Sequence, residues 1–296
     1  MTPDRTPASF EERRRRGAAA AALGAALGAG LLLTPAIAAG AEPVDLSAVY
    51  QVRFVGLRLG DADVRVNLND TSYKITGEAK LSFLRRLVFE LKGGMRASGK
   101  MAATGPRPED YGLSFKTRKK KGHLTMTFKD NAVSAVSSQP VIKPHVRAIP
   151  LTKKHVRAVF DPMSAIFLAG RTERNGLDPS VCTRRLPIFD GKHRYDVQLS
   201  HIRTVKVEPR GRKGYNGLAL VCRAKYHPIA GHRPHHKAVE FMVQTDEIEA
   251  WLIPVPQANL YVPYHVVIPT PWGTATVTAK AFEVERAGKE KIALVR

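Results

Sequence analysis

The chain has 296 residues, and its 47 Lys and Arg against 26 Asp and Glu give a formal net charge of +21 and a pI near 10.2. The hydrophobic share of 44% is sufficient for a folded core and excludes an intrinsically disordered protein. Two cysteines are too few for a zinc ribbon or an iron–sulfur protein, which need about four thiolates, and 7% aromatic residues with two Trp disfavour a carbohydrate- or base-stacking groove.

The first predicted element is a secretory signal peptide over residues 1–41. A basic block at residues 13–16 precedes the uncharged, Ala-, Gly- and Leu-rich stretch 17–37, and small residues that suit a signal peptidase follow. Cleavage after Ala41 would leave 255 residues, and the loss of five Arg and three acidic residues would lower the net charge from +21 to +19. The alternative is a retained membrane anchor, because the apolar stretch of 21 residues could just span a bilayer.

The remaining residues, 42–296, are predicted to form a single β-rich periplasmic domain. Apolar side chains alternate with polar ones in residues 50–54, 64–68 and 73–77, which is the period of a half-buried strand. These three short strands predict a meander. Residues 81–91 fit either a helical face or a strand.

A hairpin with a cationic tip is predicted next. Apolar residues alternate on both sides of a run of four basic residues: Arg118, Lys119, Lys120 and Lys121. Residues 140–150 contain three prolines and are predicted to form an extended linker across the domain. Asp161 and Pro162 predict a short helix over residues 163–168, because Asp is a good N-cap and Pro needs no hydrogen-bond donor at the first helical position.

The last third of the chain is predicted to be a further series of strands. Asp190 and Gly191 stand between two strand-like runs and are typical of a two-residue type I′ hairpin turn. More strands are predicted over residues 218–226, 238–244, 249–253, 264–268 and 274–285.

Short motifs spread over most of the chain carry a family resemblance. They are residues 56–60 (Gly-Leu-Arg-Leu-Gly), 161–165 (Asp-Pro-Met-Ser-Ala), Cys182, 189–191 with Tyr195-Asp196, 222–226, 228–231 and 269–273. Together they resemble an uncharacterised family of exported Gram-negative envelope proteins, domain of unknown function 3108. The resemblance implies a mostly β, antiparallel periplasmic domain shaped as an open or spiral β-barrel-like sheet, and it implies no catalytic residue. The strong positive charge and the histidine cluster depart from the family pattern.

Cys182 and Cys222 are predicted to form a disulfide, because both follow an export signal into an oxidising compartment and both lie in or beside predicted strands. Closing this loop of 41 residues would restrict the unfolded chain by roughly 4 kcal/mol. The alternatives are a cysteine nucleophile with His193 or His227 as its base, and two free buried thiols.

Four histidines fall within ten residues: His227, His232, His235 and His236. His232 and His236 are weak metal-ligand candidates, because the segment also carries Arg233 and Lys237 and no carboxylate. The alternatives are a solvated loop and a pH-sensitive patch, since imidazole titrates near neutrality. Neither a metal nor another cofactor is expected.

The cationic hairpin tip and nearby basic residues form a candidate surface for anionic lipid headgroups or lipopolysaccharide phosphates. The nearby residues are Lys143, Arg147, Lys153, Lys154 and Arg157. The alternative is a solvated surface that keeps the protein dispersed. Export disfavours nucleic acid, the usual partner of such a charge.

Two functions remain after these exclusions. The first is a non-catalytic periplasmic envelope protein that binds a lipid-like or anionic envelope ligand or a partner protein. The second is a hydrolase or transferase acting on an envelope polymer; the absence of a nucleophile elbow, a zinc-protease motif and a phosphate-binding glycine loop disfavours it. A concave apolar cavity without a convergent acid/base pair would favour the first, whereas a cleft joining His193 or His227 to Asp190 or Asp196 would favour the second.

Overall fold

Alternating apolar side chains along most of the chain produce strand after strand, as their period of two requires. The computed structural model describes residues 43–83, 89–102, 104–170, 177–208, 214–286 and 292–293, so the predicted signal peptide at 1–41 lies outside the described residues. The strands are β1 Val44–Phe54, β2 Leu57–Leu68, β3 Ser72–Phe83, β4 Phe89–Ala102, β5 Gly105–Thr117, β6 Lys121–Lys129, β7 Ala132–Gln139, β8 Leu168–Ala169, β9 Arg185–Phe189, β10 Arg194–Val207, β11 Gly217–Ala230, β12 Glu249–Val255, β13 Leu260–Thr270, β14 Gly273–Arg286 and β15 Ile292–Ala293.

Helical structure is sparse in the described residues. One α-helix, α1 Lys237–Gln244, and four short 3-10 helices are present: Lys153–Val156, Ser164–Ile166, Pro179–Thr183 and Pro256–Ala258. In this part of the chain no helix has the length and apolarity needed to cross a membrane.

The strands form one antiparallel sheet in which two meanders meet. Its order is β7-β6-β5-β4-β3-β2-β1-β14-β13-β12-β11-β10-β9, with β15 paired to β14 and β8 paired to β13. The first strand, β1, pairs with β14 along its whole length, from Val44 with Arg286 to Phe54 with Ala275. The predicted mostly β, antiparallel, barrel-like fold is therefore confirmed, with β7 and β9 at the two ends of an open sheet.

Residues 140–160, the seam segment, lie between the two end strands. Near β7, the Ala158 N–H donates to the Asn131 carbonyl at 2.7 Å, and at β9 the Phe160 N–H donates to the Pro187 carbonyl at 2.8 Å. Earlier in the seam segment, the Ile149 N–H donates to the His232 carbonyl at 2.9 Å. A few bonds to a single extended segment thus take the place of a strand-to-strand ladder.

The inner face of the sheet is filled by apolar side chains from both meanders. Ile75, Ile253 and Phe282 are at most 1% exposed and belong to the same core. Met163 and Phe167, which follow the seam segment, are buried in that core as well. The chain therefore turns inward after the seam segment and packs against the inner face of the sheet. We call this inward segment, residues 161–167, the plug.

Two local predictions are wrong. Residues 238–244, predicted as a strand, lie in α1, which places Met242 against a second buried cluster under β11. The predicted two-residue turn at Asp190 and Gly191 is a loop of residues 190–193, in which the Asp190 N–H donates to the His193 carbonyl at 3.2 Å. The Asp190 carboxylate also accepts the backbone N–H groups of Lys192 (2.8 Å) and His193 (2.6 Å). Gly191 is required in this loop, since its φ is +92° and a Cβ there would lie 2.4 Å from Leu124 Cδ1.

Two further segments differ from their predictions in extent. The predicted helix over 163–168 is a single 3-10 turn, Ser164–Ile166, after which the chain enters β8. Of the ambiguous residues 81–91, the first three belong to β3 and the last three to β4, and residues 84–88 lie outside the described part.

Candidate functional site

The two cysteines form the predicted disulfide. Cys182 lies in the 3-10 helix Pro179–Thr183 and Cys222 in β11, with their Cα atoms 5.4 Å apart and both side chains 0% exposed. The bond holds the segment before β9 against the sheet. Since both sulfur atoms are used, neither cysteine is a free thiol and the alternative of a cysteine nucleophile is not supported.

Asp161 is a fully buried carboxylate at the point where the chain turns inward. It accepts the backbone N–H groups of Met163 and Ser164, each at 2.9 Å, as well as the Ser164 hydroxyl. The Ser164 hydroxyl also contacts the Tyr73 hydroxyl at 2.7 Å. Burial raises the pKa of Asp161, against the opposing effect of these hydrogen bonds. The N-cap of the 3-10 helix Ser164–Ile166 is Met163 and not Asp161 as predicted, but the Asp161 carboxylate holds the turn before this helix, and Ser164 joins that turn to Tyr73 on β3.

Asp190 and His193 form a carboxylate–imidazole pair at the start of β10. His193 Nδ1 lies 3.1 Å from Asp190 Oδ2, and each side chain is about one-third exposed (33% and 30%). Burial alone would raise the pKa of Asp190, but the hydrogen bonds and the charge from His193 lower it overall. Asp196, the other predicted acid, is buried and paired instead with Arg185 and Arg194.

The remaining histidines occupy different environments. His232 is only 7% exposed and its backbone binds the seam segment, whereas His236 is exposed at the N-terminus of α1. Burial lowers the pKa of His232, against a hydrogen bond with the Ala230 backbone that raises it. Across the described residues, no three His, Cys, Asp or Glu side chains are grouped so that they could hold a metal ion.

In an antiparallel meander, alternate turns lie at the same end of the strands. At one of these two ends, several turns of this sheet carry basic residues. We call this the basic end; it comprises the turns 55–56, 118–120, 190–193 and 270–273 and the segment 231–237. The four predicted basic residues of the hairpin tip are exposed there. The tip is ordered by Thr117, whose hydroxyl accepts the Lys119 and Lys120 N–H groups at 3.3 and 2.9 Å.

A cavity of about 850 Å³ lies between β7 and the seam segment, which we call the seam cavity. Phe189, Gly191, Lys192 and Gly231 also line it. Four of its lining residues are among the exposed large apolar side chains of the protein: Val136 (43%), Val141 (70%), Val146 (95%) and Leu151 (40%). This volume is within the range of about 300–1,000 Å³ that ligand sites occupy.

A second concavity, of about 700 Å³, adjoins the seam segment at the basic end, and we call it the Trp272 cleft. Its walls carry Arg147, Arg233 and Lys237 beside Trp272, which is 75% exposed. Arg147 is flanked in sequence by Val146 and Ala148, both of which line the seam cavity instead. The same short segment therefore presents apolar residues to one concavity and a cation to the other.

The comparison with known families decides what the chain is related to. The family model DUF3108, protein of unknown function, matches residues 49–280. The chain belongs to the DUF3108 family. The matched range includes both cysteines, the cationic hairpin tip and the turn with Trp272, and it confirms the resemblance that the sequence motifs carry.

The fold of this DUF3108 protein has a distant likeness among solved structures. The β-barrel-like protein of domain of unknown function DUF1849 from Brucella abortus has a TM-score of 0.45 and 7% sequence identity, over 82% of this chain and 98% of that chain. No curated protein matches the chain significantly. The function therefore has to be argued from the site of the DUF3108 chain itself.

The sequence predicted the basic surface of the DUF3108 chain but neither concavity. The walls of the seam cavity come from residues 133–151, 189–192 and 231, and only the fold brings these together. One local signal was available: Val141 and Val146 stand among prolines and basic residues, where no strand or helix pattern explains an apolar side chain. Trp272 is a similar signal, because it lies in a predicted turn, where no strand pattern explains a large apolar side chain.

Proposed function

We propose that this protein is a non-catalytic, exported protein of the cell envelope that binds an amphipathic anionic ligand in the seam cavity. The observation that carries the proposal is the seam cavity itself, a largely apolar concavity of about 850 Å³ with cations at its border. An acyl chain or similar apolar group fits its lining. The anionic group of the ligand fits the cations.

The lining supports an apolar ligand because its side chains remain exposed in the protein alone. Val146 is 95% exposed and Val141 is 70% exposed, so neither contributes much to the folded core. Burying an apolar side chain of this kind contributes about 1.5–3 kcal/mol of favourable free energy. Val141 and Val146 would gain this free energy on contact with an apolar ligand. Lys192 lines the cavity, and Lys143 and Arg147 are exposed on the seam segment, so a negative charge is favoured at its border.

The periplasmic location rests on two features. The basic and apolar leader of residues 1–41 is typical of an export signal. The disulfide between Cys182 and Cys222 suits an oxidising compartment, where such bonds persist.

Displacement of a fluorescent long-chain fatty acid tests the proposed ligand class. We expect Val141→Asp and Val146→Asp each to weaken fatty-acid binding at least about tenfold, since a carboxylate is placed against an apolar and anionic ligand. Leu218→Asp is the matched control, because Leu218 is 47% exposed on β11 and does not line the cavity. Mass spectrometry of lipids that co-purify with the protein identifies the natural ligand; equal binding by all variants would refute the site.

A hydrolase is the second candidate, and only the Asp190–His193 pair favours it. A carboxylate that orients an imidazole is part of many hydrolytic sites. No Ser, Thr or Cys side chain of the described residues hydrogen-bonds to His193. His193→Ala should abolish any hydrolysis of envelope glycans or acyl esters under this candidate, whereas it should leave fatty-acid binding unchanged under the first.

A further inference from the structure

Three large apolar side chains are exposed together at the basic end. Val55 is 59% exposed, Leu57 is 55% exposed and Trp272 is 75% exposed. Val55 lies in the turn between β1 and β2, Leu57 directly follows that turn, and Trp272 lies in the turn between β13 and β14. The two turns are in contact, because a Cβ on Gly273 would lie 2.4 Å from Val55 Cγ2 and the Val55 N–H donates to the Thr274 carbonyl at 2.9 Å.

The backbone at Val55 is unusual for its residue type. Its φ is +49°, a left-handed conformation that β-branched residues rarely adopt. The turn is held in this shape by Arg53, whose guanidinium donates to the Gly56 carbonyl at 3.2 Å. Asn or Gly would suit the position better, and burial within the protein does not account for the valine.

Several basic residues lie at the same end as Val55, Leu57 and Trp272. The carboxylates Asp61, Asp190 and Glu240 at this end are paired with Arg58, His193 and His235. The following basic residues make no ion pair with a carboxylate of the described residues: Lys119, Lys120, Lys121, Lys143, Arg147, Lys192, Arg233 and Lys237.

The opposite end of the sheet has a different character. Its described turns, residues 69–71, 130–131 and 256–259, contain Asp70 and Asp130 and neither Lys nor Arg. The loop 209–213, which carries three basic residues in the sequence, lies outside the described part. Arg107, Lys129 and Lys206 are exposed cations on strands toward that opposite end, so what distinguishes the basic end is that its cations lie in turns beside Val55, Leu57 and Trp272.

We propose that the basic end docks on an anionic lipid bilayer, with Trp272, Val55 and Leu57 at the headgroup–acyl boundary and the surrounding cations on lipid phosphates. Tryptophan is enriched at this depth because its ring is apolar and its N–H is polar. Apolar insertion and attraction to anionic lipid add in surface-bound proteins. The proposal goes beyond the seam-cavity ligand, since it concerns the outer surface and holds whether or not the cavity is filled.

The test is sedimentation with sucrose-loaded vesicles of phosphatidylcholine, alone or with 30 mol% phosphatidylglycerol, a composition of about one anionic lipid in three. The protein is used as its host exports it, with its N-terminus determined. We expect binding to anionic vesicles to be at least about a hundredfold tighter than to neutral ones, and to fall steeply between 0.1 and 1 M salt, as the Debye length shrinks from about 10 to 3 Å. Trp272→Ser and Leu57→Ser should each weaken binding about tenfold.

Matched variants separate this proposal from simple charge and from the cavity. Arg107, Lys129 and Lys206 lie toward the opposite end, and changing all three to Ser should leave vesicle binding within about twofold of the parent. Val141→Asp, which disables the cavity, should not remove the preference for anionic vesicles. Equal binding to both vesicle types, or no loss with Trp272→Ser, would overturn the proposal. Full competition by soluble glucose 1-phosphate would also overturn it, in favour of a sugar-phosphate site in the Trp272 cleft.

Discussion

The two meanders of the sheet meet at two places, and these differ in almost every respect. At the β1–β14 junction the strands pair without interruption from Val44 to Phe54, apart from one bulge between Val49 and Tyr50. At the seam, the described residues show no ladder between β7 and β9; the seam segment forms one isolated bridge on each side, Ala132 with Arg157 and Phe160 with Ile188. The junction satisfies its backbone groups and buries its side chains, whereas the seam leaves a cavity of about 850 Å³.

The difference shows how an open sheet can hold a well-packed core and an open concavity at once. The junction contributes Leu46, Phe282 and Val284 to the core, each at most 3% exposed. The seam contributes Val141 and Val146, which are mostly exposed. Core packing is therefore concentrated at the β1–β14 junction, whereas apolar side chains at the seam stay exposed.

The largest expected effect is a loss of stability at the junction. Phe282→Ala should lower the free energy of unfolding by about 3–5 kcal/mol, because it leaves a cavity in the core. Val141→Ala at the seam should change it by less than about 0.5 kcal/mol, as is usual for exposed sites. Urea unfolding with the disulfide intact measures both; equal losses would show that the seam is as well packed as the junction.

The second prediction concerns the hairpin tip, which adjoins the seam because His123 pairs with Gln139 at the end of β7. Changing Arg118, Lys119, Lys120 and Lys121 to Ser should weaken binding to anionic vesicles by up to about 4 kcal/mol, about 1 kcal/mol for each charge. The free energy of unfolding should stay within about 0.5 kcal/mol of the parent, because these side chains are exposed. Unchanged vesicle binding would mean that the charge serves solubility alone.

The third prediction tests how firmly the plug behind the seam is held. Asp161→Ala should lower the free energy of unfolding by about 2–3 kcal/mol, because the buried N–H groups of Met163 and Ser164 lose their acceptor. Asp161→Asn retains an acceptor oxygen and should cost less than about 1 kcal/mol at pH 7.

The same pair of variants has a definite pH dependence. Because the folded-state pKa of Asp161 is raised, the folded protein binds the proton more tightly, and its stability falls as pH rises from the ordinary carboxyl pKa of 3.8 through the raised value. The parent should therefore gain stability relative to Asp161→Asn as pH is lowered from 7 to 4. Urea midpoints at four pH values measure this, and the opposite slope would contradict a raised pKa.

The smallest predicted effect is a gain at the seam. Ala158 has a φ of +50°, which glycine adopts more readily than alanine. Ala158→Gly should therefore raise the free energy of unfolding by about 0.5–1 kcal/mol while the bond to Asn131 is kept. Thermal unfolding measures the change; a loss of more than 1 kcal/mol would mean that the methyl group of Ala158 packs at the seam.

The sequence predicted most strands because these depend on local alternation, and it predicted the disulfide because Cys182 and Cys222 are the two cysteines of the chain and follow a predicted export signal. Alternation at residues 50–54 and 64–68 sets which side chains face the core, whichever strands are neighbours. Helix α1 was missed because its apolar residues, Val239 and Phe241 among them, also fit alternation, and only the contact of Met242 with the cluster under β11 decides for a helix.

The candidate site was predicted only in part, for a different reason. The basic residues of the hairpin tip are contiguous in the chain, so the sequence displays them directly. The seam cavity depends on the pairing of β1 with β14, which determines that β7 and β9 become the two ends of the sheet. No local pattern in residues 133–151 contains that information.

The pairing of β1 with β14 also has a consequence for biosynthesis. Strand β1 is made before the other described strands, but its second neighbour, β14, begins only at Gly273, so a nascent chain carries β1 as an open edge during nearly all of its synthesis. Joining strands so distant in sequence is slow, since a very long loop must close. Leu46 and Ala48 lie on β1 while it is still unpaired, and an exposed apolar strand edge promotes aggregation. The growing polypeptide therefore keeps an unpaired apolar edge until residues 273–286 have been made and can pair with β1.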